Sequence, residues 1–177
     1  YTTLFRSPTS GEVLIGNIPV SRLSENDLAI FRQRYLGFIF QSYNLMPTMT
    51  ALENTALPLM FKGIDRKTRE KSAMSILKTV GLEHRLNHYP SQMSGGQQQR
   101  VGIARAFITK PKIVFADEPT GNLDTKTTTE VMEMIKDFAC KYNQTIILVT
   151  HEPELAEYAT RVITLADGEI ISDIKNT

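Results

Sequence analysis

The chain has 177 residues, of which 41% are hydrophobic and 22% charged, and its formal net charge is +1. This length allows one domain with a single hydrophobic core, and the composition is that of an ordinary soluble globular protein. The small net charge argues against a nucleic-acid binder whose affinity comes from neutralising phosphates.

The cysteine content and the apolar runs exclude two further classes of protein. A single cysteine, Cys140, cannot form an internal disulfide, and its place in a helical pattern predicts a packed or partly buried thiol. The longest apolar runs, such as residues 146–149, are far shorter than the ~20 residues of a membrane-spanning helix. The chain does not begin with a signal peptide, so we expect any role at a membrane to depend on a partner protein.

Hydrophobic periodicity and turn residues predict an alternation of strands and helices. In chain order, they predict a strand at residues 12–15, a helix at 24–31, a strand at 36–40, helices at 51–61, 66–80 and 94–109, a strand at 112–116, a helix at 126–142, a strand at 145–150, a helix at 154–159, and strands at 161–166 and 169–172. Pro58 interrupts the second helical segment, and Gly81 ends the third. The alternation implies right-handed crossovers and a parallel α/β sheet, which finishes in a hairpin at Asp167 and Gly168.

Polar side chains stand where three of these strands end. Asp117 and Glu118 follow the apolar strand at 112–116, and His151 follows the next strand. Gln41 ends an earlier one. Ligands of an open parallel sheet bind at the carboxyl ends of its strands, so these side chains are expected at one site. Taken singly, each would more often be a solvated strand end or a structural hydrogen-bonding group. Together they suit a magnesium nucleotide, which needs an acid to hold the metal shell and a base to steer water.

A small hydroxyl residue and two glycines open the helix at 94–109. Ser94, Gly95, Gly96 and Gln97 form a turn whose backbone can approach a phosphate, and the helix directs its N-terminal amides towards that phosphate. Glycine pairs alone usually mark flexible loops. Here the pair heads a long helix and Arg100 follows it, so we interpret the turn as a phosphate contact.

One expected part of a nucleotide site is not found in the sequence. The loop G-x-x-x-x-G-K-[ST], whose lysine grips the β- and γ-phosphates of ATP, does not occur. We therefore expect the 177-residue chain by itself to bind ATP poorly and not to hydrolyse it.

The order and spacing of these motifs resemble an ATPase subunit of the ABC transporter family. Gln41, the turn at 94–97, the strand ending in Asp117 and Glu118, the run at 122–124 and His151 resemble its Q-loop, signature motif, Walker B strand, D-loop and H-loop. The amino-acid sequence of residues 41–54 and 116–124 is most similar to the macrolide-exporter and lipoprotein-releasing branch, which includes antimicrobial-peptide exporters. Met93 stands where leucine is usual.

The resemblance implies a P-loop NTPase fold with an inserted helical subdomain. The core subdomain would comprise residues 1–41 and 106–177, and the helical subdomain residues 42–105. The first strand and the Walker A loop of the family would be missing, because only seven residues precede the matching segment. The chain is accordingly interpreted as an N-terminally truncated cassette, and the sequence leaves open whether residues 1–7 are native or foreign to it.

The resemblance also implies roles for the side chains at the strand ends, with ATP and Mg²⁺ as the ligands. Asp117 would hold Mg²⁺ through water, and Glu118 would orient and deprotonate the attacking water. His151 would bind the γ-phosphate. Gln41 would contact the metal shell and, with the apolar residues 43–49, sense a membrane permease.

The remaining implied roles concern two subunits that meet head to tail. Each ATP would lie between the lysine loop of one subunit and Ser94, Gly95, Gly96 and Gln97 of the other. Asp124, which taken singly is a turn aspartate, would couple the two sites.

The implied function is to power an export or lipoprotein-release permease. The partners would be that permease, a second ATPase subunit and a periplasmic or extracytoplasmic adaptor, at the cytoplasmic face of the inner membrane and without nucleic acid. Two alternatives stay open: a cell-division ATPase that signals to cell-wall remodelling, and a fragment without turnover. A soluble ABC ATPase is disfavoured, because such proteins carry long coiled-coil insertions or paired cassettes with basic arms, and this chain has neither.

Overall fold

The fold is known from a computed structural model that describes residues 8–176. Its strands and helices follow one another in this order: β1 (Leu14–Ile15), β2 (Ile18–Pro19), α1 (Glu25–Tyr35), β3 (Leu36–Phe40), α2 (Ala51–Phe61), α3 (Arg66–Thr79), α4 (Gly95–Phe107), β4 (Ile113–Asp117), α5 (Thr125–Tyr142), β5 (Thr145–Val149), β6 (Arg161–Ala166) and β7 (Glu169–Lys175). Short 3₁₀ turns cover residues 20–22, 90–92 and 153–158. The predicted residues 1–7 of the core lie outside the described part of the chain.

The central sheet is parallel, as predicted, with the strand order β3-β4-β5. Its register pairs Phe40 with Asp117 and Asp117 with Val149, so all three strands end at the same level. The predicted hairpin is also present. β6 and β7 pair antiparallel, and Asp167 and Gly168 between them both have positive φ. Two such residues give the turn whose twist matches that of the paired strands.

Helices α4 and α5 form the main core with one face of this sheet. Val114 and Ala116 of β4 are buried among side chains of both helices, which include Ile103, Phe107, Val131, Ile135 and Phe138. The opposite face carries an aromatic row, in which Phe38 stacks on Phe40 and on Phe115. On β5 the same face is open, with Ile147 40% and Val149 52% exposed. The core therefore lies on the α4–α5 side.

Helices α2, α3 and α4 pack together as the helical part of the molecule. Thr50 caps α2 in a reciprocal capping box with Glu53. The predicted interruption at Pro58 is wrong, because α2 is one continuous helix through Phe61. Pro58 lies in the last turn of α2, so its ring removes one intrahelical hydrogen bond near the helix end and leaves the preceding turns intact. The subdomain division at residues 41 and 106 stays a prediction.

Three further local expectations differ from the structure. The predicted strand at 12–15 is shortened to β1, which pairs with β2. The sequence analysis missed β2. Gly16, between the two strands, has the positive φ of a tight turn. The predicted helix at 154–159 is 3₁₀. Cys140 is exposed, because it lies on the outer side of α5 and not beside the buried Phe138.

Among residues 8–176, no helix has both the length and the apolar character needed to cross a bilayer.

Candidate functional site

The site is built where β3, β4 and β5 end together. Because Phe40, Asp117 and Val149 are paired in register, the residues that follow them emerge at the same edge of the sheet. Gln41 and Glu118 come directly after two of these strands, and His151 comes two residues after the third. The sequence predicted this juxtaposition, and the parallel register accounts for it.

Glu118 and His151 are in direct contact. The Nδ1 atom of the His151 imidazole lies 2.8 Å from Oε1 of Glu118. The Glu118 side chain is 30% exposed, whereas that of His151 is 72% exposed. The hydrogen bond that the His151 ring donates to Glu118, together with the negative charge of that carboxylate, raises the pKa of His151 above the ordinary value. The pair therefore combines a partly shielded carboxylate with an imidazole that holds its proton more strongly.

The backbone at Glu118 turns sharply away from the strand. Glu118 has a φ of 43°, in the left-handed region that few residues other than glycine adopt. Its N–H donates to the carbonyl of Val149 at 2.9 Å, and its carbonyl accepts from the N–H of Gly121 at 3.2 Å. These two bonds fix the turn at 118–121, hereafter the Glu118 turn, and with it the direction of the carboxylate.

Asp117 and Gln41 offer oxygen atoms at the same edge. The Asp117 side chain is exposed, and within residues 8–176 its carboxylate accepts no hydrogen bond. The carbonyl of Gln41 accepts from the Asn122 amide at 3.0 Å, and its side chain lies against Gly121, where an added Cβ would stand 2.6 Å from the Gln41 nitrogen. Mg²⁺ bound with a nucleotide takes one or two carboxylates and the substrate phosphates. Asp117 and Gln41 fit that donor set. In the described part of the chain, no three His, Cys, Asp or Glu side chains form a metal cluster of their own.

The predicted phosphate-contact turn is a helix cap in the structure. The Ser94 hydroxyl accepts from the Gln97 N–H at 3.3 Å, and the Gln97 side chain accepts from the Ser94 N–H at 3.1 Å. A Cβ on Gly95 would lie 2.7 Å from the Tyr43 hydroxyl, and one on Gly96 would lie 2.7 Å from a methyl carbon of Thr127. An alanine at either position would therefore require the neighbouring side chain to move.

The turn at residues 94–97, hereafter the Ser94 turn, lies at the head of α4 and not at the ends of the strands. Over residues 8–176, no hydrogen bond links Ser94, Gly95, Gly96 or Gln97 to Glu118 or His151. Four predicted site residues thus lie at the strand ends and four at the head of α4, whereas the ninth, Asp124, lies at the start of α5.

Asp124 has a defined structural role at the start of α5. Its carboxylate accepts from the Thr127 N–H at 3.1 Å and from the Thr127 hydroxyl at 2.7 Å. These hydrogen bonds, that from the side chain first, lower the pKa of Asp124. Asp124 is therefore the N-cap of α5. The predicted coupling between two sites stays a prediction.

The sequence analysis missed two side chains of α4 that hold the loops of the site. The buried Gln99 amide donates to the carbonyl of Pro119, directly after Glu118. The Arg105 guanidinium donates to the carbonyl of Tyr43 at 2.8 Å and also to that of Asn44. Gln99 lies in a run of three glutamines and gives no signal. Arg105 interrupts an apolar helix face, which was a usable sign of a buried polar contact.

Comparison with known proteins decides the family. The model of the family described as "ABC transporter" matches residues 2–121. The chain belongs to the ABC transporter family. An uncharacterized ABC transporter ATP-binding protein of Methanocaldococcus jannaschii is 54% identical over 171 residues, which cover 97% of this chain and 76% of that protein.

Two further relatives belong to transport systems whose names state a function. The lipoprotein-releasing system ATP-binding protein LolD of Geobacter metallireducens is 47% identical, over 94% of this chain and 74% of that protein. The macrolide export ATP-binding/permease protein MacB of Rhodopirellula baltica is 42% identical, over 95% of this chain but only 25% of that protein. The branch predicted from residues 41–54 and 116–124 is confirmed by these relatives.

The fold is confirmed by a solved structure. The ATP-binding cassette MJ0796, as a dimer in a post-hydrolysis state bound to ADP and phosphate, superposes with a TM-score of 0.87 at 43% identity. The match covers 97% of this chain and 76% of that one. The α/β P-loop NTPase fold predicted from the sequence is the fold observed.

Proposed function

We propose that this chain is the ATP-hydrolysing part of an ABC system that powers an export or lipoprotein-release permease. The observation that carries the proposal is the contact between Glu118 and His151 at the carboxyl edge of a parallel sheet, 2.8 Å between Nδ1 and Oε1. Family membership and the LolD and MacB relatives support the same reaction.

The side chains divide the hydrolysis between them. His151 engages one oxygen of the Glu118 carboxylate, so the other oxygen is free to orient a water molecule and accept its proton. Because Nδ1 of His151 is engaged by Glu118, the other ring nitrogen, Nε2, is the atom that donates a hydrogen bond to the terminal phosphate in this proposal. Asp117 and Gln41 would hold Mg²⁺ through water. When bound, this ion neutralises charge on the phosphates.

The Ser94 turn acts on the nucleotide of a second subunit in this proposal. Within one chain the turn has no hydrogen bond to Glu118 or His151 over the described residues, and in this proposal another copy supplies the nucleotide that the turn contacts. The N-terminal amides of α4 and the positive end of its dipole suit a phosphate. The dimer formed by the relative MJ0796 supports this arrangement.

The permease is proposed to dock at residues 43–49 and the adjoining groove. Met46 is 45% exposed, whereas Leu45 packs against the core, so the dock is narrower than predicted. Arg105 holds the backbone at Tyr43 and also lines an apolar groove of about 630 Å³. The other apolar residues that line it include Ile30, Phe38, Phe40, Leu57 and Phe61. We place the subunit at the cytoplasmic face of the inner membrane, with an extracytoplasmic adaptor as a more distant partner.

A nucleotide-dependent dimer tests the proposal. In the protein expressed from its complete coding sequence, Glu118→Gln removes the base but keeps the side-chain volume, so ATP should stay bound and hold two subunits together. Analytical ultracentrifugation should show a dimer for Glu118→Gln with ATP and a monomer with ADP. The matched control, Glu133→Gln, changes an exposed carboxylate on α5 and should sediment as the wild-type protein does. A Glu118→Gln protein that stays monomeric with ATP would contradict the proposal.

A further inference from the structure

The amide of Gln99 in α4, which holds the loop after Glu118, is buried, and within the described part of the chain only one of its two polar atoms is paired. The Gln99 side chain is fully buried, and its amide nitrogen donates to the carbonyl of Pro119. Its amide oxygen has no hydrogen-bond partner among the described residues. A buried amide that is only half satisfied costs free energy, so its single hydrogen bond calls for an explanation.

That bond ends on the segment that carries the catalytic carboxylate. Pro119 follows Glu118, whose φ of 43° lies in the left-handed region. On the side of the sheet, the Glu118 N–H anchors the Glu118 turn by donating to the carbonyl of Val149. On the side of helix α4, Gln99 anchors the turn by donating to the carbonyl of Pro119. A residue in a sparsely populated conformation persists only when its surroundings fix it, and Gln99 supplies one of those constraints.

The same helix begins at the Ser94 turn. Gln99 lies five residues after Ser94, about 7.5 Å along the axis at ~1.5 Å per residue. Because α4 is a continuous helix over Gly95–Phe107, a displacement of the turn moves Gln99 with it. The side chain thus connects the phosphate-contact turn to the backbone beside Glu118.

We propose that Gln99 is a positioning residue: it ties α4 to the Glu118 turn and thereby sets the orientation of the Glu118 carboxylate. The inference rests on the proposed ATPase function. Gln99 touches neither nucleotide nor water in this account, and it acts through Pro119.

The chain contains a matched control for this bond. The Gln144 side chain is half-buried, its amide nitrogen donates to the carbonyl of Pro111, and its amide oxygen also lacks a partner within residues 8–176. Pro111 precedes β4, whereas Pro119 follows it. Two glutamines therefore hold two proline carbonyls at opposite ends of one strand, and only the bond from Gln99 adjoins Glu118.

The experiment compares Gln99→Met with Gln144→Met in the protein expressed from its complete coding sequence. Methionine keeps the volume but cannot donate to the carbonyl. Gln99→Met should lower kcat for ATP hydrolysis by about 10- to 100-fold, the range reported for small misplacements of catalytic groups, with KM for ATP within about twofold of wild type. Gln144→Met should keep both constants. NMR-detected amide exchange should be faster at Gly121 in Gln99→Met only, because its N–H donates to the Glu118 carbonyl.

The outcomes separate this inference from the proposed function. Equal losses of kcat in both variants, or a rise in KM alone, would reduce Gln99 to a contributor to stability and overturn the inference. If Gln99→Met does not fold, Gln99→Asn replaces it, because the shorter amide cannot reach Pro119. A wild-type protein without ATPase activity would contradict the proposed function. The amide-exchange measurement does not depend on ATPase activity. Unchanged exchange at Gly121 in Gln99→Met would show that Gln99 does not position the Glu118 turn.

Discussion

Glu118 and His151 depend on each other at the scale of single residues. The Glu118 carboxylate accepts a hydrogen bond from the imidazole and places a negative charge beside it, and His151 in turn fixes one carboxylate oxygen at 2.8 Å. The sequence alone could place both residues at the strand ends, because strand ends are readable from apolar runs. It could not show that they touch, since that depends on the left-handed φ of Glu118.

The pKa of His151 is a direct prediction at this scale. In the folded protein it should lie above the ordinary value of about 6.5 and fall towards that value in Glu118→Gln. Because the folded pKa is raised, the pair stabilises the fold fully below the unfolded pKa. That contribution is lost as the pH rises through the folded pKa. An NMR titration of the His151 ring protons measures the shift, and an identical pKa in Glu118→Gln would show that the contact does not exist in solution.

Helix α4 organises the site at the scale of secondary-structure elements. Its N-terminus forms the Ser94 turn, and its middle and end hold the loops after β4 and β3 through Gln99 and Arg105. The extent of α4 was predicted to within two residues, because a capping residue and apolar periodicity define it. The two contacts were not predicted, because they join segments about 20 and 60 residues apart along the chain.

The seating of α4 on β3 yields a stability prediction. A Cβ on Gly37 would lie 2.6 Å from the backbone carbonyl of Ala106 in α4, so Gly37→Ala forces the helix away from the strand. We expect a loss of about 1–3 kcal/mol in the free energy of unfolding. The matched control is Gly102→Ala, whose Cβ would meet its nearest atom at 3.6 Å and which should not destabilise the helix. Urea unfolding measures both variants, and equal stability of the two would refute this packing.

The whole molecule was largely predictable at the level of its architecture. Parallel strands, helical crossovers and the terminal hairpin follow from periodicity and from turns such as Asp167–Gly168, and the family follows from five ordered motifs. What the sequence could not supply depends on long-range packing: the continuous α2 through Pro58, the exposed Cys140 and the buried Gln99. The subdomain boundaries and the roles of Asp124 and the permease dock stay predictions.

The central claim is that Glu118 is the general base of an ATPase, and the most direct measurement is Mg²⁺-dependent ATP hydrolysis. Wild type and Glu118→Gln, both expressed from the complete coding sequence, would be compared at saturating ATP, with phosphate release as the readout. General-base catalysis contributes about 10²–10⁴-fold, so Glu118→Gln should lose turnover by that factor while still binding ATP. Turnover in Glu118→Gln equal to that of wild type would contradict the account.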